Sequence, residues 1–152
     1  MARSKIVVLD FGSQYAHLIA KRFRMLGFYS EIALPSADLQ TFTDAKGIVF
    51  SGGPASVYDE NTPDFNSEIL NLDIPILGLC YGHYIVNLGY NGKVGKAETG
   101  EFGFATLNIN EKIQSPLFYG IESVQQVWMS HQDGVLKPGD GFEVIGSTKD
   151  CP

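Results

Sequence analysis

The stretch Ile6-Val7-Val8-Leu9-Asp10-Phe11-Gly12-Ser13 carries the pattern that decides the fold. Its first four residues form a short apolar run rich in β-branched side chains, which is typical of a strand buried on both faces of a parallel sheet. Residues 10–13 break the run, and Ser13 can cap a helix predicted over residues 14–26, with Gly27 in the position that usually ends a helix. The chain is therefore predicted to begin with a strand–loop–helix unit.

The same alternation of strand and helix continues through the first half of the chain. Further strands are predicted at residues 29–34, 47–50 and 74–79, and helical segments at residues 37–42, 65–72 and 82–88. Because such alternation gives right-handed crossovers, the fold class predicted is α/β, a doubly wound mostly parallel sheet with helices on both faces. After Gly89 the pattern changes, and short antiparallel strands are predicted at residues 92–96, 104–109, 124–129 and 142–146.

The composition excludes several classes of protein. With 152 residues, 44% apolar and 18% charged, the chain can bury a core as a single domain, so disorder is disfavoured. A formal net charge of −6 argues against a general nucleic-acid binder. No signal peptide and no apolar stretch of the ~20 residues that a membrane span needs are found, so a cytoplasmic location is expected. Two cysteines and three histidines, all scattered, predict neither a disulfide framework nor a metal site.

The motif Gly78-Leu79-Cys80-Tyr81-Gly82 lies at a predicted strand-to-helix junction. It has the form of a nucleophile elbow, with Cys in place of Ser. A tight turn there would strain the backbone at Cys80 and place the thiol near the positive end of a helix, which favours the thiolate. The amide of Tyr81 would be placed to donate to an oxyanion. The alternative is that Cys80 is a small hydrophobic residue buried at the end of a core strand.

A second loop, Ser51-Gly52-Gly53-Pro54, directly follows the third predicted strand. Two consecutive glycines expose backbone N–H groups that can hold an anion or a developing oxyanion. No Gly-Lys-Ser/Thr follows, so the loop is not a phosphate-binding P-loop. The alternative is a plain turn, and only the position beside the elbow in a parallel sheet favours a functional loop.

A cysteine nucleophile needs a base, which is usually a histidine. His17 falls within the first predicted helix and is expected to be partly exposed. His83 follows Cys80 on the same helix and would be poorly aimed as its base. His131 follows a predicted strand and could line a pocket. The residues alone single out none of the three.

Taken together, these segments resemble the glutamine amidotransferase domains of GMP synthetases, which are class I (Cys-type) amidotransferases. The resemblance runs over residues 6–147. Its blocks, in chain order, are Leu9-Asp10-Phe11-Gly12-Ser13-Gln14-Tyr15, Ser51-Gly52-Gly53-Pro54-Ala55-Ser56-Val57-Tyr58-Asp59-Glu60-Asn61, Gly78-Leu79-Cys80-Tyr81-Gly82, Glu101-Phe102-Gly103, Ser115-Pro116-Leu117-Phe118 and Val127-Trp128-Met129-Ser130-His131. The first and last blocks favour GMP synthetases over other amidotransferases.

The resemblance implies a flavodoxin-like domain that hydrolyses glutamine. Cys80 would attack the side-chain amide of glutamine and release ammonia, with the amides of Gly53 and Tyr81 as the oxyanion hole. The resemblance assigns glutamine binding to a larger set, which is Gly52, Tyr84, Ser130, His131, Gln132 and Asp133. It implies no cofactor in this domain. The ammonia would pass to an ATP-pyrophosphatase (synthetase) domain, in the same or a partner chain, which uses ATP and Mg to convert XMP to GMP in purine biosynthesis.

The chain departs from the family pattern at several places. Tyr84 stands where the family has Gln, Gln132 where it has Gly, and Gly100 where it commonly has Arg. The family's catalytic His and Glu come from a His-Pro-Glu segment that these 152 residues lack. Residues 1–152 are therefore expected to be a single amidotransferase domain, incomplete at its C-terminus, with little glutaminase activity alone. Turnover near that of a complete amidotransferase would contradict this expectation and point to His83 or His131 as the base.

Two other functions stay open on the sequence. The chain could be a degenerate amidotransferase-like module that binds a partner or another ligand without catalysis, which Tyr84 and Gln132 favour and the retained Cys80 disfavours. It could also be a peptidase-like cysteine hydrolase, but that interpretation leaves the Val127–His131 block unexplained.

Overall fold

The computed structural model describes residues 4–53, 57 and 63–152, without the side chain of Glu98. The chain divides into two compact units, Met1–Gly89 and Tyr90–Pro152. The division falls where the sequence changes from alternating strands and helices to consecutive strands.

The first unit contains a four-stranded parallel sheet. Its strands are β1 (Lys5–Leu9), β2 (Tyr29–Ala33), β3 (Ala45–Phe50) and β4 (Ile76–Gly78), in the order β2-β1-β3-β4. Val7 of β1 pairs with Glu31 on one side and with Ile48 on the other. Because β1 is central, Val7, Val8 and Leu9 are completely buried, which confirms that the opening apolar run forms an inner strand.

Two α-helices cover this sheet, α1 (Tyr15–Met25) and α2 (Tyr81–Gly89). Ala16 and Ala20 of α1 pack against Val49, whereas Gly82 of α2 lies against the next residue, Phe50. Successive residues of a strand face opposite sides of its sheet. The two helices therefore lie on opposite faces, as predicted.

The C-terminal end of α1 agrees with the sequence, since Gly27 has a φ of +91° where the helix ends. At the N-terminal end the capping prediction is wrong, because Gln14 and not Ser13 occupies the N-cap position, although the Ser13 hydroxyl accepts a hydrogen bond from the amide of Tyr15 at 3.0 Å. Two other predicted helices do not form. The predicted helices at residues 37–42 and 65–72 are single 3₁₀ turns, Leu39–Phe42 and Ser67–Asn71. Each segment is too short to offset the cost of nucleating an α-helix. No helix among the described residues is long and apolar enough to cross a membrane.

The second unit contains an antiparallel sheet of three strands. These are β5 (Lys93–Ile109), β6 (Val124–Lys137) and the short β7 (Gly146–Ser147), in the order β6-β5-β7, with a 3₁₀ turn at Pro116–Phe118. The two strands predicted at residues 92–96 and 104–109 are one strand. Its pairing shifts between Lys96, which faces Asp133, and Glu101, which faces His131. Residues 97–100 therefore form a wide bulge opposite one residue of β6.

Candidate functional site

Ser51 links its own loop, after β3, to the end of β1 and the loop that follows it, and to the first turn of α2. Its amide donates to the carbonyl of Leu9 at 3.1 Å, and its carbonyl accepts from the amide of Gly82 at 3.1 Å. The amide of Phe11 donates to the Ser51 hydroxyl at 3.2 Å, and that hydroxyl donates to the carbonyl of Gly52 at 2.9 Å. Ser51 is completely buried. Sequence patterns assigned this serine no role of its own, although a small hydroxyl residue at the end of a buried strand is the signal that could have found it.

Replacing Ser51 with alanine is expected to lower the free energy of unfolding by about 1–3 kcal/mol. The change leaves the buried amide of Phe11 without its acceptor, and an unsatisfied buried donor costs that much. Urea unfolding followed by far-UV circular dichroism measures the loss. Ser36→Ala, at an exposed serine of the same unit, is the matched control, and an equal loss in both variants would contradict the assigned role.

The turn that carries Cys80 has the strained geometry expected of a nucleophile elbow. Cys80 has a φ of +53°, a value that residues with a Cβ rarely adopt. A Cβ on Gly78 would lie 2.7 Å from the Cα of His83, and one on Gly82 would lie 2.3 Å from the carbonyl oxygen of Phe50. Both glycines are therefore required by close backbone packing. Cys80 is exposed, so the alternative of a buried core cysteine is wrong.

The two-glycine loop lies beside this turn. A Cβ built on Gly52 would lie 3.5 Å from the Cβ of Cys80, so the loop passes next to the thiol-bearing residue. A Cβ on Gly53 would lie 2.7 Å from the carbonyl oxygen of Phe11, which leaves no room for a side chain there. Residues 54–56 and 58–61 of the block quoted from the sequence fall outside the described residues.

An aromatic cluster fixes the residue that follows Cys80. The ring of Tyr81 lies 5.4 Å from that of Phe11, which lies 5.6 Å from that of Phe50 and 6.0 Å from that of Phe65. Rings at these separations attract one another and resist rotation as a group. The buried ring of Tyr81 therefore anchors the first residue of α2, directly after Cys80, against the loop that follows β1.

Neither histidine of the first unit has a described hydrogen bond or ion pair with Cys80. His17 is exposed on α1, as expected. His83 is exposed on α2, and its ring lies 5.9 Å from that of Tyr84. Desolvation of the imidazole by surrounding groups lowers the pKa of His83. The amide of Tyr84 donates to the carbonyl of Cys80 at 3.2 Å, as part of the first turn of α2.

The second unit holds the other residues that the sequence assigned to glutamine binding. Residues 130–133 all lie within β6. The prediction that His131 follows the strand is therefore wrong, because His131 is part of it. The side chains of Ser130 and Gln132 are exposed, whereas those of His131 and Asp133, which alternate with them along the strand, are half-buried. His131 Nε2 lies 2.8 Å from Glu101 Oε2, and Nδ1 donates to the carbonyl of Asp133 at 2.9 Å. Both ring nitrogens are thus engaged inside this unit, which disfavours His131 as a general base.

Two of the departures from the family pattern are neighbours in space. A Cβ on Gly100 would lie 3.1 Å from the carbonyl oxygen of His131 and 3.5 Å from the Cα of Gln132. The two strands therefore approach closely here, and a side chain at position 100 would need one of them to shift.

Comparison with known proteins settles the family. The sequence model of the family described as glutamine amidotransferase class-I matches residues 7–152. The chain belongs to the class I glutamine amidotransferase family. The resemblance in the sequence is confirmed, and so is the fold class. In this family context, the Cys80 turn and the adjacent Gly52-Gly53 loop are the candidate active site.

Two similar relatives are named for the same activity. A glutamine-hydrolysing GMP synthase of Lactobacillus delbrueckii subsp. bulgaricus is 50% identical over 151 residues, covering 97% of this chain and 29% of the relative. That of Psychrobacter arcticus is 45% identical over 153 residues, covering 97% of this chain and 28% of the relative. The chain thus spans less than a third of the length of these curated relatives.

Solved structures show the same fold. One is a Thermoplasma acidophilum protein described as a candidate GMP synthase subunit. It superposes with a TM-score of 0.84 at 27% identity, covering 99% of this chain and 76% of that protein. A glutamine amidotransferase from Thermotoga maritima superposes with a TM-score of 0.76 at 16% identity, covering 99% of this chain and 70% of that one.

Proposed function

We propose that this chain is the glutamine-hydrolysing part of a GMP synthase. The observation that carries the proposal is the exposed Cys80 with a φ of +53°, held between two glycines that admit no side chain. This turn occurs in a class I amidotransferase whose relatives are named as glutamine-hydrolysing GMP synthases.

Each described group near Cys80 has a defined task in the proposed reaction. The Cys80 thiolate attacks the side-chain amide carbon of glutamine, and the resulting oxyanion accepts hydrogen bonds from the amides of Gly53 and Tyr81. The intermediate collapses to a glutamyl thioester as the amide nitrogen takes a proton from water and leaves as ammonia. Water then attacks the thioester carbon, which releases glutamate and restores the thiol. No cofactor is needed for these steps.

The partner in this proposal is a synthetase. The ammonia would be transferred to an ATP-pyrophosphatase domain, in the same or a partner chain, which activates XMP with ATP and Mg and aminates it to GMP. The relatives, which extend well beyond the matched region, support such a partner. The roles of Gly52, Tyr84 and the residues at 130–133 in glutamine binding stay predictions of the resemblance, as does low turnover by this chain alone.

Active-site labelling tests the proposal without requiring turnover. A diazoketone analogue of glutamine should alkylate Cys80, as shown by peptide mass spectrometry, and glutamine should protect Cys80 whereas glutamate should not. Labelling requires only a reactive Cys80 thiol and a pocket that binds glutamine. It does not require a complete catalytic cycle, so a low turnover does not affect the result. Labelling of Cys80 that glutamine leaves unchanged, or no labelling at all, would contradict the proposal and favour the non-catalytic binding module.

A further inference from the structure

Three residues from separate parts of the second unit bring metal-binding atoms together. Glu101 lies on β5, His131 lies opposite it on β6, and Cys151 lies in the C-terminal segment. One ligand atom from each residue lies within 4.8 Å of the other two. The Glu101 and His131 side chains are only 7% and 10% exposed. We propose that Glu101, His131 and Cys151 bind a zinc ion, a site beyond the glutaminase function proposed above.

The histidine is oriented as a metal ligand would be. The carbonyl of Asp133 can only accept, so Nδ1 of His131 carries the proton that it donates at 2.9 Å. This leaves Nε2, 2.8 Å from Glu101 Oε2, facing the cluster. A histidine that binds a metal through one ring nitrogen usually donates the other N–H to a carbonyl or carboxylate, which fixes the ring.

The two other ligands are supported by Thr148. Its hydroxyl donates to Glu101 Oε1, so Oε2 of the same carboxylate is directed at His131. The Thr148 hydroxyl also accepts from the amide of Cys151 at 3.1 Å, and the amide of Thr148 donates to the carbonyl of Cys151 at 2.9 Å. Thr148 therefore orients the carboxylate and holds the cysteine backbone at once, as the outer hydrogen bonds of a metal site do.

The geometry of the cluster suits a bound cation. Nε2 of His131 lies 2.8 Å from Oε2 of Glu101, and one ligand atom of Cys151 lies within 4.8 Å of both residues' ligand atoms. A divalent cation among these three atoms would be bound by all of them at once.

The ligand types favour zinc over other divalent ions. Magnesium and calcium prefer oxygen ligands, whereas zinc binds a mixture of thiolate, imidazole and carboxylate. Tetrahedral bonds of roughly 2.0–2.3 Å would place the ligand atoms about 3.3–3.8 Å apart. The separation of 2.8 Å between His131 Nε2 and Glu101 Oε2 would widen by about 0.5 Å, and Cys151 Sγ would approach by at most about 1.5 Å. The fourth position would take a water molecule.

Zinc and cobalt titrations test the site directly. The chain is freed of metal with a chelator and then titrated with zinc against a chromophoric chelator. We expect one ion per chain, with a Kd of about 1 μM or tighter, and a release of protons measured by calorimetry in buffers of different ionisation enthalpy. Cobalt in place of zinc should give the near-ultraviolet charge-transfer absorption of a cobalt–thiolate bond.

Matched variants assign the ligands. Cys151→Ser, His131→Gln and Glu101→Gln should each weaken zinc binding at least about 100-fold, and Thr148→Val by about 10–100-fold. Cys80→Ser and His83→Gln remove the same residue types from the first unit and should leave zinc affinity unchanged. If Glu101→Gln does not fold, the cobalt spectra of the unaltered chain and of Cys151→Ser decide. The proposal would be overturned if the unaltered chain bound zinc no more tightly than Cys151→Ser does. It would also be overturned if the cobalt–thiolate band were lost in Cys80→Ser and kept in Cys151→Ser.

Discussion

A thiol-alkylating reagent is expected to modify Cys80 at least about tenfold faster than Cys151. The two cysteines differ in exposure, since Cys80 is exposed in its turn and Cys151 is half-buried. They also differ in surroundings, because burial and the nearby carboxylate of Glu101 raise the pKa of the Cys151 thiol. Only the thiolate reacts, so Cys151 has both less access to reagent and less of its reactive form. Peptide mass spectrometry at successive times, at about pH 8, follows both residues in one sample.

Single substitutions assign the two reactions. Cys80→Ser should remove essentially all of the fast labelling and leave the slow reaction unchanged, whereas Cys151→Ser should do the reverse. Each variant keeps one thiol, so each serves as the control for the other. Equal rates at the two cysteines, or a faster reaction at Cys151, would show that the exposed strained turn does not present a usable nucleophile.

Local chemistry explains which parts of the fold the sequence predicts. The inner strand β1 and the end of α1 at Gly27 depend on neighbouring residues alone, and the structure confirms both. The strand predicted at residues 142–146 depends on pairing. The end of β5 pairs instead with β7, where Ile109 faces Gly146, and the ring of Phe142 packs on that of Tyr90 at 5.4 Å. An alternating pattern shows that a segment can pair, but only the partner strand decides which residues do.

The candidate site likewise has features that depend on neighbouring residues and features that depend on residues far apart in the sequence. The turn at Cys80 could be predicted because the motif is only five residues long, and the two glycines in it mark positions where a tight turn leaves no room for a side chain. The hydrogen bonds of Ser51 join three segments that are far apart in the sequence. The contact between Glu101 and His131 exists only because β5 and β6 pair across a bulge that interrupts the sequence pattern of β5. Spacing along the chain therefore gave no sign of the metal-binding cluster.

Replacing Gly82 with alanine is expected to lower the free energy of unfolding by at least about 3 kcal/mol, the upper end of the cost of overpacking. The added Cβ would lie 2.3 Å from the carbonyl oxygen of Phe50 and 2.5 Å from its Cβ. Phe50 cannot move away easily, because it is completely buried and its strand β3 pairs with β1 and β4. Its carbonyl also accepts from the amide of Leu79 at 3.0 Å, inside the turn that carries Cys80. Urea unfolding followed by far-UV circular dichroism measures the loss.

Gly52→Ala is the matched control for this prediction, because Gly52 lies in the neighbouring loop of the same unit. A Cβ there would lie 3.5 Å from the Cβ of Cys80, which is an ordinary contact, so its free energy of unfolding should change by less than about 1 kcal/mol. The same clash should displace the turn, so Gly82→Ala is also expected to slow alkylation of Cys80 relative to Gly52→Ala. A Gly82→Ala chain as stable as the control would show that the helix can shift away from Phe50, and that close packing at this glycine does not hold Cys80 in its strained conformation.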